Sequence, residues 1–171
     1  MTRLLVATMC VVFACVLAGI FGAAHDQVSF TVSPKYFFHL KFDQFGIAPG
    51  FHNRLGAAFV GWYASWWMGL FIGIPVALVS LLMPSTRLQF KAFAWVAVLI
   101  VLCTLAAALF SLTLTPPREI FEHIRISDRV QDVEAYVRVG FMHSVSYLAG
   151  AASTVLGLII LAIWVWRARR T

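Results

Sequence analysis

The side chains in this chain with chemistry to offer are few, and they fall at the ends of long apolar runs. His25 and Asp26 close the first run, Arg54 opens the second, Trp66 lies along it, and His143 and Tyr147 stand one helical turn apart at the start of the last. Imidazole and carboxylate together suit zinc or iron, so His25 and His143 with Asp26 could ligate a metal. The same groups with Tyr147 could bind a small organic ligand, or serve a membrane enzyme or redox subunit. A plainer role is that they cap helix ends and hydrogen-bond a loop onto the helices below. The plain role is favoured, with His25, Asp26, Arg54, Trp66, His143 and Tyr147 kept as candidate binding residues. No catalytic residue, metal or cofactor is assigned. A haem is disfavoured, because no histidine falls deep within an apolar run.

Nothing else in the sequence competes with that group. It contains no phosphate loop, dinucleotide fingerprint, His-Glu-x-x-His, Gly-x-Ser-x-Gly or calcium loop. No Asp, Glu, Lys or Arg falls at the middle of an apolar run, which argues against a pump, carrier or charged pore. Nor are the runs broken in matched pairs, the sequence pointer to a transporter site. His39, His52 and His123 read as loop surface. Cys10, Cys15 and Cys103 are odd in number and lie in apolar segments, so they read as small packing residues.

The elements that must position the candidates are membrane helices. In 171 residues, 61% of side chains are apolar and 12% charged, with mean hydropathy +0.88, the profile of a single-domain integral membrane protein. Four helices are expected, over about 4–24, 55–83, 92–114 and 141–166, joined by outer loops over 25–54 and 115–140. The first run is too long for a signal-peptide core, although Gly22-Ala23-Ala24 could be cleaved, so a retained helix is favoured. In the first loop, Val28, Phe30 and Val32 alternate with polar residues, which fits a short strand. Ser33-Pro34 then reads as a helix start, and 36–45 fits a short helix or a second strand. Seven aromatic or aliphatic residues in that loop argue that it folds down as a structured cap. The second loop reads as two helical pieces, the latter running into the fourth helix. Pro75 should bend the inner half of the second helix.

Packing is written into the second helix as small residues at every fourth position: Ala57, Gly61, Ser65, Gly69, Gly73 and Ala77. Such a ridge lets another helix approach closely. On the fourth helix Ser146, Gly150, Ser153 and Gly157 make a comparable seam, the expected partner of the ridge. At 3.6 residues per turn the ridge drifts about 40° per step, so its outer and inner portions should face different neighbours. Trp62, Tyr63, Trp66 and Trp67 read as an aromatic collar at the outer interface, beside His143.

The net charge of +6 is confined to one side. Arg3, Arg87, Lys91, Arg167, Arg169 and Arg170 lie at the ends and in the short turn, while the outer loops hold seven basic and seven acidic residues. The positive-inside rule makes both termini cytoplasmic and removes a nucleic-acid reading of the basic residues. Three stretches, His25-Asp-Gln-Val-Ser-Phe-Thr-Val-Ser-Pro-Lys-Tyr-Phe with Lys41-Phe-Asp-Gln-Phe, Val60-Gly-Trp-Tyr-Ala-Ser-Trp-Trp-Met-Gly-Leu and Arg138-Val-Gly-Phe-Met-His-Ser-Val-Ser-Tyr-Leu-Ala-Gly, resemble a group of uncharacterised bacterial four-helix membrane proteins. The resemblance implies a bacterial inner membrane and transfers no functional residue. The sequence thus points to an all-α membrane protein in the lipid bilayer, partnered by another membrane protein, a second copy or a lipid-like ligand at its outer face. A membrane enzyme or redox subunit is the alternative.

Overall fold

The computed structural model describes residues 2–117 and 132–170. All regular structure among them is helical. Helix α1 (Arg3–Val32) begins at a Thr2 cap that accepts from the Leu5 amide. Its 30 residues span about 45 Å at about 1.5 Å each, well beyond the ~30 Å of a hydrocarbon core. The helix therefore does not end at residue 24, and the expected strand over 28–32 is absent. Ser29 and Thr31 return their hydroxyl protons to the carbonyls of His25 and Gln27, at 3.2 and 2.9 Å, satisfying polar side chains within the helix itself.

After Ser33 comes a compact cap: α2 (Pro34–Tyr36), a π turn over Phe37–Lys41 and α3 (Phe42–Gln44). The π turn buries both Phe37 and Phe42 completely. Gly46, at φ +61°, ends it. The Ile47 and Gly46 amides donate to the carbonyls of Phe42 and Asp43, the pair of bonds that closes a Schellman motif. A 3-10 turn over Pro49–Phe51 leads to Asn53, whose side chain accepts from the Leu55 and Gly56 amides and starts α4 (Arg54–Ser65). The remaining helices are α5 (Met68–Ser80), α6 (Thr86–Ser111) and α7 (Val133–Ala168). Residues 118–131, where helix and His123 were expected, lie outside the described residues.

Among the described residues, three helices are long and apolar enough to cross a membrane, or four spans result if the bent pair α4–α5 is one. That bend is 44° at Trp66–Trp67, not at Pro75, which lies inside α5. The Gly69 and Leu70 amides reach back three residues, to the carbonyls of Trp66 and Trp67, so the chain tightens there into 3-10 geometry.

The small-residue ridge packs on α1 rather than α7. A Cβ on Gly61 would meet the backbone of Gly22, one on Gly69 the backbone of Cys15, and one on Gly73 the Ala14 side chain. Both halves of the ridge thus keep the same neighbour across the bend. The seam of α7 faces α6 instead, with Gly157 against Val96 and Ile100, and the Ser153 and Thr104 hydroxyls 3.4 Å apart. Two apolar clusters result. One centres on Val6, Cys10, Val76, Phe93, Val96 and Leu161, and a second, at the cap end, on Phe30, Tyr36, Phe37, Phe42, Val60 and Tyr136. The cap is part of the second cluster, so the aromatic first loop does fold onto the bundle.

Candidate functional site

Between the two clusters lies a chamber of about 310 Å³ walled by α1, α4, α5, α6 and α7. Its walls are mainly apolar, including Ala18, Phe21, Ala64, Met68, Ile72 and Val101. Its size is at the lower end of small-molecule sites, ~300–1,000 Å³. The polar lining includes His25, Asp26, Lys41, His143, Ser146 and Tyr147, with Thr104 and Thr154 further along.

His25 and Asp26 come from the last third of the uninterrupted helix α1, about two turns before its end, and His143 and Ser146 from the facing side of α7. Asp26 is 3% exposed. Its Oδ1 lies 3.3 Å from His25 Nδ1 and 3.2 Å from His143 Nε2. The outward-facing nitrogens are engaged too: His143 Nδ1 is 2.8 Å from the Val139 carbonyl, and His25 Nε2 is 3.0 Å from Ser146 Oγ. One potential ligand atom from each of His25, Asp26 and His143 lies within 4.8 Å of the others. The two imidazoles meet edge to face at 4.7 Å between centroids, which leaves no room for a haem plane between them.

The cap closes this end. Tyr36 stacks on the His143 ring at 5.4 Å and packs against Tyr136 at 5.0 Å. Lys41, turned inward by the π turn, lies over the Tyr36 and Phe45 rings and donates to Gln44 Oε1 at 3.0 Å. Burial lowers the Lys41 ammonium below its ordinary range, an effect the Asp26 carboxylate partly offsets. Burial pushes the Tyr36 phenol well above its ordinary range.

Of the candidates read from sequence, His25, Asp26, His143 and Tyr147 all line the chamber. Arg54 does not. It donates to Thr31 Oγ1 at 3.1 Å and covers the Phe30 ring, while Gln27 donates to its carbonyl at 2.9 Å, so it rivets α4 to the C-terminal end of α1. Trp66 sits at the helix bend and is 41% exposed. Its neighbour Gly69 meets α1 at Cys15, about 15 Å along the helix from His25. None of the collar residues Trp62, Tyr63, Trp66 and Trp67 lines the chamber that His143 lines. Gly61, Ser65, Gly69 and Gly73 lie along α1, and Ser65 and Gly61 also line the chamber. Gly157 is tight against α6, but a Cβ on Gly150 would find its nearest neighbour, Thr104 Oγ1, at an ordinary 3.7 Å, and Gly150 borders the chamber.

Lys41, Tyr36 and Ser146 were not read as parts of a site. Lys41 had a faint signal, as a basic residue inside a phenylalanine-rich run. In the sequence Ser146 reads as part of the helix seam, and Tyr36 only as one of the aromatic residues of the cap. No family model, curated protein or solved structure matches the chain.

Proposed function

We propose that the chain is a four-span protein of a bacterial inner membrane that binds a small lipid-like ligand near the outer face, without transforming it. The observation that carries the reading is the chamber, whose apolar walls run between helices to one polar group of His25, Asp26, Lys41 and His143. An amphiphile matches such a site, with its chain between the helices and its head against the polar group. Four spans are supported by the other end of the bundle. Arg3 donates to the Leu81 and Pro84 carbonyls at 3.1 and 2.6 Å, and Arg169 donates to the Leu82 carbonyl at 3.0 Å. The start of α1 and the end of α7 thus both meet the α5–α6 turn, as an even number of crossings requires. The excess of positive charge there makes it the cytoplasmic end. His25 is 22 residues from Arg3, about 33 Å along α1, at the far edge of a ~30 Å hydrocarbon core.

The test is photolabelling in nanodiscs with a diazirine-bearing fatty acid. Labelled peptides should map to chamber residues such as Met68 and Ala151. Gly150→Leu, whose Cβ would meet only the Thr104 side chain at an ordinary 3.7 Å and whose position lines the chamber, should reduce that labelling several-fold. Labelling confined to the lipid-facing residues Leu148 and Ile159, unchanged by Gly150→Leu, would defeat the proposal. The alternative, an enzyme or redox subunit using His25, Asp26, His143 and Tyr147, is favoured by one feature, the sharing of a single carboxylate oxygen by two imidazoles.

A further inference from the structure

We infer that His25, Asp26 and His143 form a site for one divalent first-row transition metal, of the zinc or iron(II) class. The argument rests on where hydrogen-bond donors are available. The Val139 carbonyl can only accept, so the nitrogen of His143 facing it at 2.8 Å, Nδ1, carries that ring's proton. The Ser146 hydroxyl donates to the Met142 carbonyl at 2.8 Å, so its oxygen accepts from His25 Nε2 at 3.0 Å. Ser29 likewise spends its proton on the His25 carbonyl at 3.2 Å. A neutral imidazole has one N–H, and these partners draw it away from Asp26 in both rings. His25 Nδ1, which Ser29 Oγ also approaches at 3.5 Å, His143 Nε2 and Asp26 Oδ1 then face one another as three lone-pair atoms. Such a group repels unless something positive lies among its members, an added proton on one ring or a metal ion, in a buried setting where unpaired polar groups are costly.

A cation resolves this, and the spacing fits one. Nitrogen and oxygen donors about 2.05 Å from a tetrahedral metal stand about 3.3 Å apart, and two of the three edges here are 3.3 and 3.2 Å. All three atoms lie within 4.8 Å of one another, so a small ring rotation closes the third edge. The supporting bonds are those that metal-binding histidines use, with the second nitrogen held by a carbonyl or hydroxyl that fixes ring and tautomer. Two imidazoles and one carboxylate select zinc or iron(II) over calcium or magnesium, which prefer all-oxygen shells. Three protein ligands leave a position open. It faces the chamber, a placement that rests on the ligand-binding reading above, whereas the metal site itself does not.

The test uses the full chain without a histidine tag, purified in detergent, stripped with chelator and titrated with cobalt(II). One equivalent should bind, with the visible bands of a nitrogen–oxygen ligand set and no thiolate charge-transfer band. His143→Ala, His25→Ala and the near-isosteric Asp26→Asn should each weaken binding at least 100-fold, while His52→Ala, whose ring bonds the Ile47 carbonyl elsewhere in the cap, should not. Absence of stoichiometric binding to the folded wild type overturns the inference. So does binding retained in Asp26→Asn, or a thiolate band that moves the ligands to Cys10, Cys15 or Cys103. Photolabelling repeated on His143→Ala separates the two proposals, because a chamber that keeps its fatty acid without cobalt leaves the ligand reading standing alone.

Discussion

Replacing Gly69 and Gly150 separately by alanine asks whether the ridge on α4–α5 holds the bundle through close backbone approach. The covalent change is identical at two helical positions, and the structure assigns opposite signs to it. At Gly69 the new Cβ would stand 2.5 Å from the Cys15 amide nitrogen and 2.6 Å from the Ala14 carbonyl oxygen. Both are backbone atoms of α1 and cannot rotate aside. Restoring contacts of about 3.5 Å moves α1 and α5 apart by roughly 1 Å, and a gap of that size forfeits up to about half of each contact's dispersion energy. Overpacking of this kind costs about 1–3 kcal/mol, against a helix-propensity gain of up to about 1 kcal/mol. At Gly150 the added methyl meets nothing closer than 3.7 Å, so the gain stands alone. The propensity gain is common to both, so the two variants should differ by the overpacking cost, about 1–3 kcal/mol, or roughly 2–12 °C in Tm at this chain length. Heating detergent-purified protein and following the monodisperse fraction by size exclusion measures the gap. Gly69→Leu should extend the loss, and Leu70→Ala, at a position 37% exposed, should cost less than either Gly69 change. Equal melting of Gly69→Ala and Gly150→Ala would refute close packing as the role of the ridge.

Two further outcomes follow from the cap and the topology. Tyr36→Ala removes a ring packed between His143 and Tyr136 and should cost about 3–5 kcal/mol. Tyr36→Phe keeps the packing and should cost under about 1.5 kcal/mol; comparable Tm losses would show that the hydroxyl, not the ring, supports the site. In intact cells, Gln44→Cys should react with an impermeant maleimide and Arg87→Cys should not; labelling of Arg87→Cys from outside reverses the orientation.

The long apolar runs and the small-residue ridge were legible because both are local patterns, of composition and of spacing. What misled the reading was polarity used as punctuation. His25-Asp26 marked an exit from the membrane, yet α1 continues for six more residues to Val32, and these groups find partners on α7. The alternation of Val28, Phe30 and Val32 resembled a strand, but it is the helical position of Phe30 in the outer cluster that matters. A ridge shows that something packs closely, never what, and a sequence cannot choose between α1 and α7. Lys41 reaches the chamber through a π turn, a change of winding with no compositional mark. Arg54 and Trp66 stood near the site along the chain, but helix direction and rotation carried them elsewhere.

The sharing of the polar cluster between α1 and α7 also sets an order of assembly. α1 can lie against α4 and α5 as soon as those are made, because the ridge requires no later element. His143 and Ser146 arrive only with the last helix. Until then Asp26 has His25 beside it and Lys41 of the cap nearby, but neither of the α7 groups that complete the cluster. Docking of α7 closes the face on which His25 and Asp26 lie, so a bundle without its final helix differs from the finished one at this cluster first.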